Sequence, residues 1–212
     1  MIHLTTQPGG LTRRLSKDAS GATIIEFAMV FPVLVLLIMG LMDMAHTQYS
    51  NSVLHGAMQK AGRDLTLESA GSRNASIDKL VRDQIGLVVP KGSTITFEKL
   101  SHFDFADVGE PEDILGDDLP GQPGHGQCEG AKGEMYIDQN NNNKFDKNRG
   151  KDGIGGARDV VLYTAVVSYP RLFPMYELAG LPRNVTIQAS TVLRNQPFDE
   201  QDDRSNTQRP CP

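Results

Sequence analysis

The chain has 212 residues, 39% of them apolar and 22% charged, with a formal net charge of −5. The charge is uneven: residues 1–21 hold Arg13, Arg14, Lys17 and one acid, Asp18, a net of +2, so the remainder carries −7. An acidic remainder without a basic stripe excludes a nucleic-acid binder, because phosphate neutralisation needs a cationic face. The mean hydropathy of −0.33 is that of a water-soluble chain, so its apolar residues must be concentrated in one place.

That place is 22–42. These 21 residues contain one charge, Glu26, and the next charge is Asp43. A helix rising about 1.5 Å per residue carries the run across about 31 Å, one hydrocarbon thickness. The apolar region of a cleaved signal peptide is shorter than this. Arg13, Arg14 and Lys17 all precede it, which predicts a single-pass anchor, with 1–21 as a cytoplasmic leader and the C-terminal part translocated. Pro32 removes one backbone hydrogen bond, which membrane helices tolerate.

A carboxylate just inside a membrane segment is expensive. Glu26 has a plain reading, an interfacial residue reaching back to the headgroups. A second reading joins it to its surroundings. A basic leader ends in Gly21; Ala22, Thr23, Ile24 and Ile25 follow, then Glu26, Phe27 and the apolar run. This pattern resembles the cleavage signal of type IV prepilins. The stretch from Gly21 to Leu65 is further similar to the TadE-like proteins, pseudopilins of the tight-adherence (Flp, type IVc) pilus machinery. Glu26-Phe27-Ala28, Pro32 and the Ala57-x-x-Ala61-x-Arg63 pattern carry that likeness, together with DVVLYTAVVSYP and ASTVLRNQPF near the C-terminus. The resemblance implies a prepilin peptidase cutting between Gly21 and Ala22. It also implies an assembly role for Glu26 and Phe27, with the Glu26 carboxylate pairing with the new α-ammonium of a neighbour in the fibre. The implied partners are other pilins and pseudopilins, assembly-platform proteins, the peptidase and membrane lipid.

Beyond the span, 43–70 is expected to continue the helix into the periplasm, with Leu54, Ala57, Met58, Ala61 and Leu65 on one face. Gly62, Ser69, Gly71 and Ser72 suggest where it stops. Residues 74–87 read as a second helix, striped by Ile77, Leu80, Val81, Ile85 and Leu87. Alternation and β-branched content predict strands at 93–100, 159–169 and 184–193, with a shorter one before Asp138. Pro170, Pro174 and Pro182 bracket an irregular connection with a short helix at 175–178. The fold class is α+β: a long N-terminal transmembrane and amphipathic helix, then a small pilin-like α/β domain over 71–198 with an antiparallel sheet. A polar tail, 199–212, is expected to be disordered up to Cys211.

Residues 102–129 hold eight carboxylates and no lysine or arginine. They read as a solvated loop, or alternatively as a docking or cation-attracting one. The two cysteines, Cys128 and Cys211, allow one disulfide in an oxidising compartment or two free thiols. At 138–152, Asp138, Asn140, Asn142 and Asp146 occupy the first, third, fifth and ninth places of an EF-hand-type loop, which a calcium ion would require. Asn143 replaces the usual glycine and Arg149 stands in the twelfth place, so an asparagine-rich turn competes with the metal reading. His46 and His55 are expected on the exposed side of the long helix. With His102 and His125 they form no HExxH pattern, and neither a G-x-S-x-G turn nor a phosphate loop is present, so no enzyme is expected. A pseudopilin is one function to test. The other is a membrane-anchored, calcium-dependent periplasmic binding domain outside any pilus.

Overall fold

The computed structural model describes residues 20–65, 70–118, 120, 122, 124–173, 176–177, 180–196 and 204–212. Helix α1 (Ser20–Leu65) has 46 residues and contains Pro32 without a break, so it is about 69 Å long. Its two halves meet different surroundings. Ile24, Phe27, Met29, Val33, Leu37 and Leu41 are all exposed. Further along, Ser50, Leu54, Ala57, Met58, Ala61 and Leu65 are buried at helical spacing and form one face.

Helix α2 (Ala70–Gly86) begins earlier than expected. Ile77, Val81 and Ile85 pack it against α1. Leu80 and Leu87 fall outside the stripe and are exposed. Gly62 lies inside α1 and ends nothing: a Cβ there would sit 3.0 Å from Thr191 Oγ1. Its missing side chain is what lets the helix approach the sheet closely.

Seven strands follow: β1 (Thr94–His102), β2 (Ile114–Leu115), β3 (Met135–Asp138), β4 (Lys151–Asp152), β5 (Val160–Pro170), β6 (Asn184–Arg194) and β7 (Thr207–Pro210). They form two antiparallel sheets, ordered β4-β1-β5-β6 and β2-β3-β7. In the larger sheet β5 is central, pairing along its whole length with β6 and from Val160 to Ser168 with β1. Val161, Tyr163, Ala165, Val167 and Tyr169 of β5, with Val185, Ile187, Ala189 and Leu193 of β6, meet the buried faces of α1 and α2 in one apolar core. From α2, Asp78 accepts hydrogen bonds from the Tyr163 hydroxyl at 2.6 Å and Lys99 Nζ at 2.5 Å. Burial and this contact push the Tyr163 hydroxyl well above its ordinary pKa.

The smaller sheet contains the main surprise. The expected disordered tail is, at 207–210, strand β7 paired with β3 in register Tyr136↔Arg209. Long-range partners order it: Arg209 Nε donates to Asp138 Oδ2 at 2.5 Å, and Arg204 Nη2 to Asp107 Oδ2 at 2.6 Å. The short helix expected at 175–178 falls mostly on residues outside the described ones.

Candidate functional site

Among the described residues, one helix is long and apolar enough to cross a membrane, and its most apolar stretch buries nothing against the rest of the chain. Glu26 and Phe27 sit exposed on this bare half, and the Phe27 and Phe31 rings stack one turn apart with centroids 5.1 Å apart. The Gly21–Ala22 peptide lies in the first turn of α1. A bare apolar helix in water is unfavourable by about 25 cal/mol per Å² of exposed apolar surface, so this half requires lipid or other helices around it.

At the end of the apolar run the helix is clamped to the domain. Arg171 forms an ion pair with Asp43, both largely withdrawn from solvent. Leu172 N donates to the other Asp43 oxygen at 3.3 Å, and Arg171 Nε donates to Pro182 O at 3.0 Å. The connection between β5 and β6 thereby grips the first charge after the span. A cavity of about 410 Å³, lined by Met39, Met44, Phe173 and Leu181 among others, opens beside this clamp. One turn on, His46 is half-buried rather than on the open side of the helix: its Nε2 lies 3.1 Å from Val88 O and its ring meets Tyr169 edge-on. His55 is exposed as expected.

The acidic stretch is only partly a solvated loop. Asp107 and Glu112 are buried, and Glu112 is 1% exposed. Its carboxylate accepts the N–H groups of Gln139 at 2.9 Å and Asp146 at 3.0 Å. Burial is the largest influence on Glu112 and holds its pKa above the ordinary carboxylate value despite those bonds. The cations that the stretch lacks come from elsewhere: Arg149 pairs with Asp107 and Asp113, and Arg204 with Asp107. Cys128 and Cys211 are joined by a disulfide across a sequence separation of 83, with Cα atoms 5.2 Å apart.

Asp138, Asn140, Asn142 and Asp146 do meet in one turn. Asp138 is fully buried and accepts the N–H groups of Asn142 at 3.1 Å and Asn143 at 3.0 Å. Burial pushes its pKa up, but Arg209 and those two N–H groups outweigh it, and the net shift is downward. Asn141 and Asn143 take left-handed backbone angles, which asparagine tolerates. Asn140 Nδ2 and Asn142 Nδ2 both point at Asp146 Oδ2, at 2.8 and 2.5 Å.

The long helix and its clamped domain define a class: an α+β protein with, among the described residues, one helix able to cross a membrane, whose exposed half carries Glu26. Comparison sharpens this. Residues 21–63 match the TadE family model, described as TadE-like protein, so the chain carries a TadE-like segment over about one fifth of its length. No curated protein and no solved structure matches the chain. The residues that sequence reading missed are Asp43 with Arg171 and the three arginines that neutralise the buried acids. The one local signal was that Asp43 is the first charge beyond the apolar run.

Proposed function

We propose that this protein is a pseudopilin-like subunit of a tight-adherence pilus, anchored in the cytoplasmic membrane with its α/β domain in the periplasm. The TadE-like match supports a pilus-associated, pseudopilin-like role in general, structural rather than catalytic. The observation that carries the finer reading is the division of α1. One half is bare, apolar and marked by Glu26; the other is built into the domain and clamped at Asp43. Such a helix packs laterally with other pilin-type helices while its domain stays exposed to partners at the pilus base or tip. In that packing the Glu26 carboxylate meets a neighbour's α-ammonium, so that neither charge stays unpaired in a low-dielectric layer. The prepilin peptidase would create that ammonium by cutting between Gly21 and Ala22. The first turn of α1 must open for this, since proteases take extended backbone. The test is the N-terminal mass of the protein isolated from its native membranes. A chain beginning at Ala22 is expected, and a retained leader would refute processing.

One observation favours the other reading, a calcium-dependent binding domain. Asp138, Asn140, Asn142 and Asp146 gather in one turn and bring together the hard oxygen donor types that a calcium loop uses. Calcium titration of the Asp146→Asn variant decides it: calcium seated in this turn is lost in the variant.

A further inference from the structure

A second group of oxygen ligands lies at the disulfide, away from the turn at 138–146. Among the described residues, Asp118, Glu129 and Glu134 each bring a carboxylate oxygen within 4.8 Å of the others. Glu129 and Glu134 flank one short turn, and Asp118 comes from the stretch before it. Glu129 follows Cys128, whose disulfide partner Cys211 donates its N–H to Glu134 O at 3.0 Å. Gly130 N reaches Pro212 O at 3.3 Å, and Glu129 N donates to Glu134 Oε2 at 2.7 Å. Glu129 and Glu134 are therefore held by covalent and backbone links, and Asp118 is joined to them through Lys132.

Two observations single this cluster out. Glu134 is only 4% exposed, yet its Oε1 has no hydrogen-bond partner. A buried carboxylate oxygen left unsatisfied is costly and calls for an explanation. The charge is also unbalanced. Lys132 Nζ reaches Asp118 Oδ2 at 2.5 Å and pairs with Glu129, while Glu134 has no ion pair among the described residues. These two partners hold the lysine's charge firmly, and its pKa lies above the ordinary lysine value. The lysine is 44% exposed along its side chain and can withdraw into water without unpacking a core.

The cluster also has a roof. Gly124 has φ +101°, and a Cβ there would sit 2.7 Å from Asp118 Oδ2, 2.8 Å from Glu129 Oε2 and 2.8 Å from Lys132 Nζ. Glycine is thus needed both for the backbone angle and for the close approach. The donors are all hard oxygens, and both cysteines are consumed by the disulfide, which favours a hard cation over zinc or copper. Oxygens on opposite sides of a calcium ion stand about 4.6–5.2 Å apart, so the observed separations admit calcium with little movement.

We propose that Asp118, Glu129 and Glu134 form a calcium site in which the ion replaces the Lys132 ammonium and locks the disulfide-closed corner. Lys132 is a built-in competitor: it neutralises the site when calcium is scarce and gives way when calcium is abundant. Affinity belongs in the range of extracellular modules, with Kd of about 0.1–1 mM. The site does not depend on the pilus reading, nor on a metal in the turn at 138–146.

The test is calorimetric titration of the full chain in detergent micelles with calcium chloride, for the wild type and three variants. Glu134→Gln is expected to weaken binding about tenfold or more, by removing a buried charged ligand. Lys132→Gln is expected to tighten it about threefold or more, by removing the competing cation. Asp146→Asn is expected to leave this binding event unchanged. Intact mass without reductant confirms that each variant keeps the disulfide, and a gain of affinity in Lys132→Gln cannot arise from misfolding. No binding by wild type or Lys132→Gln up to about 10 mM calcium would overturn the proposal. So would binding that Asp146→Asn abolishes and Glu134→Gln leaves intact, which would place the ion in the other turn.

Discussion

The two sheets of this domain are held together by different physics. The larger one, β4-β1-β5-β6, lies on α1 and α2 through an apolar core running from Leu54 to Leu193. The smaller one, β2-β3-β7, has strands of two to four residues and little apolar burial beyond Tyr136. Buried carboxylates, three arginines and a disulfide hold it instead. Apolar burial is diffuse and tolerates the loss of one member. A buried charge network is cooperative: removing one partner strands another away from water.

That contrast can be broken most strongly at the disulfide. Cys211→Ser should cost about 4 kcal/mol, through the long loop that the bond closes. Hydrogen exchange should show the loss confined to β3 and β7, with β5 and β6 keeping their protection. Uniform loss across both sheets would mean that they form one cooperative unit. In the larger sheet the matching change is Leu54→Ala, at about 3–4 kcal/mol. Here the whole domain should melt earlier, as followed by circular dichroism.

Glu112→Ala should cost about 2–3 kcal/mol, chiefly because the N–H groups of Gln139 and Asp146 lose their acceptor. Thermal melting checks the size, and exchange of those two amides checks the place.

Acid should act on the same network. The folded pKa of Asp138 lies below its ordinary 3.8, so its stabilising contribution is complete above that value and is lost as pH falls below it. Glu112 has the opposite sign. Its folded pKa is above 4.5, so raising the pH from 4.5 through the folded value costs stability. Exchange protection of β7 should therefore drop below pH 3.8 in the wild type. The Asp138→Asn variant should lack that step.

The smallest effect is expected at Gly62. Alanine gains about 1 kcal/mol of helix propensity over glycine. The new Cβ would, however, meet Thr191 Oγ1 at 3.0 Å and Cγ2 at 3.1 Å. Gly62→Ala should thus be close to neutral, and in a Thr191→Ala background it should stabilise by about 0.5–1 kcal/mol. Denaturant melts of the two pairs measure the difference.

Legibility in the sequence follows the same division. The α1 helix was readable because an apolar run and a helical stripe are local patterns; its described span, Ser20–Leu65, covers most of the 22–70 expected, and 66–69 lie outside the described residues. Strands β1, β5 and β6 were readable by alternation. Of the smaller sheet only β3 was expected, as the short strand before Asp138; nothing local marks β2 or β7. Thr207–Pro210 is polar and contains a proline, which an edge strand accommodates since β7 pairs only with β3. Its ordering partners lie 71 and 97 residues away in the chain. The acidic stretch misled for the same reason: a local tally of charges found no cation, while Arg149 and Arg204 arrive from outside it. Gly21, Glu26 and Phe27 were legible as a spacing. The Asp43–Arg171 clamp, 128 residues apart, was not.

The seam closed by β7 also carries a consequence in time. A chain made from its N-terminus onward has every strand of the larger sheet in hand once Arg194 has appeared. Arg204, Arg209 and Cys211 come later, so the smaller sheet is the last part to close. A chain halted or clipped between these points keeps its helix and its core yet leaves Asp107 without Arg204, Asp138 without Arg209 and Cys128 without Cys211. The disulfide thus records that the chain has passed Cys211: a free thiol at Cys128 would identify a subunit that stopped short of it.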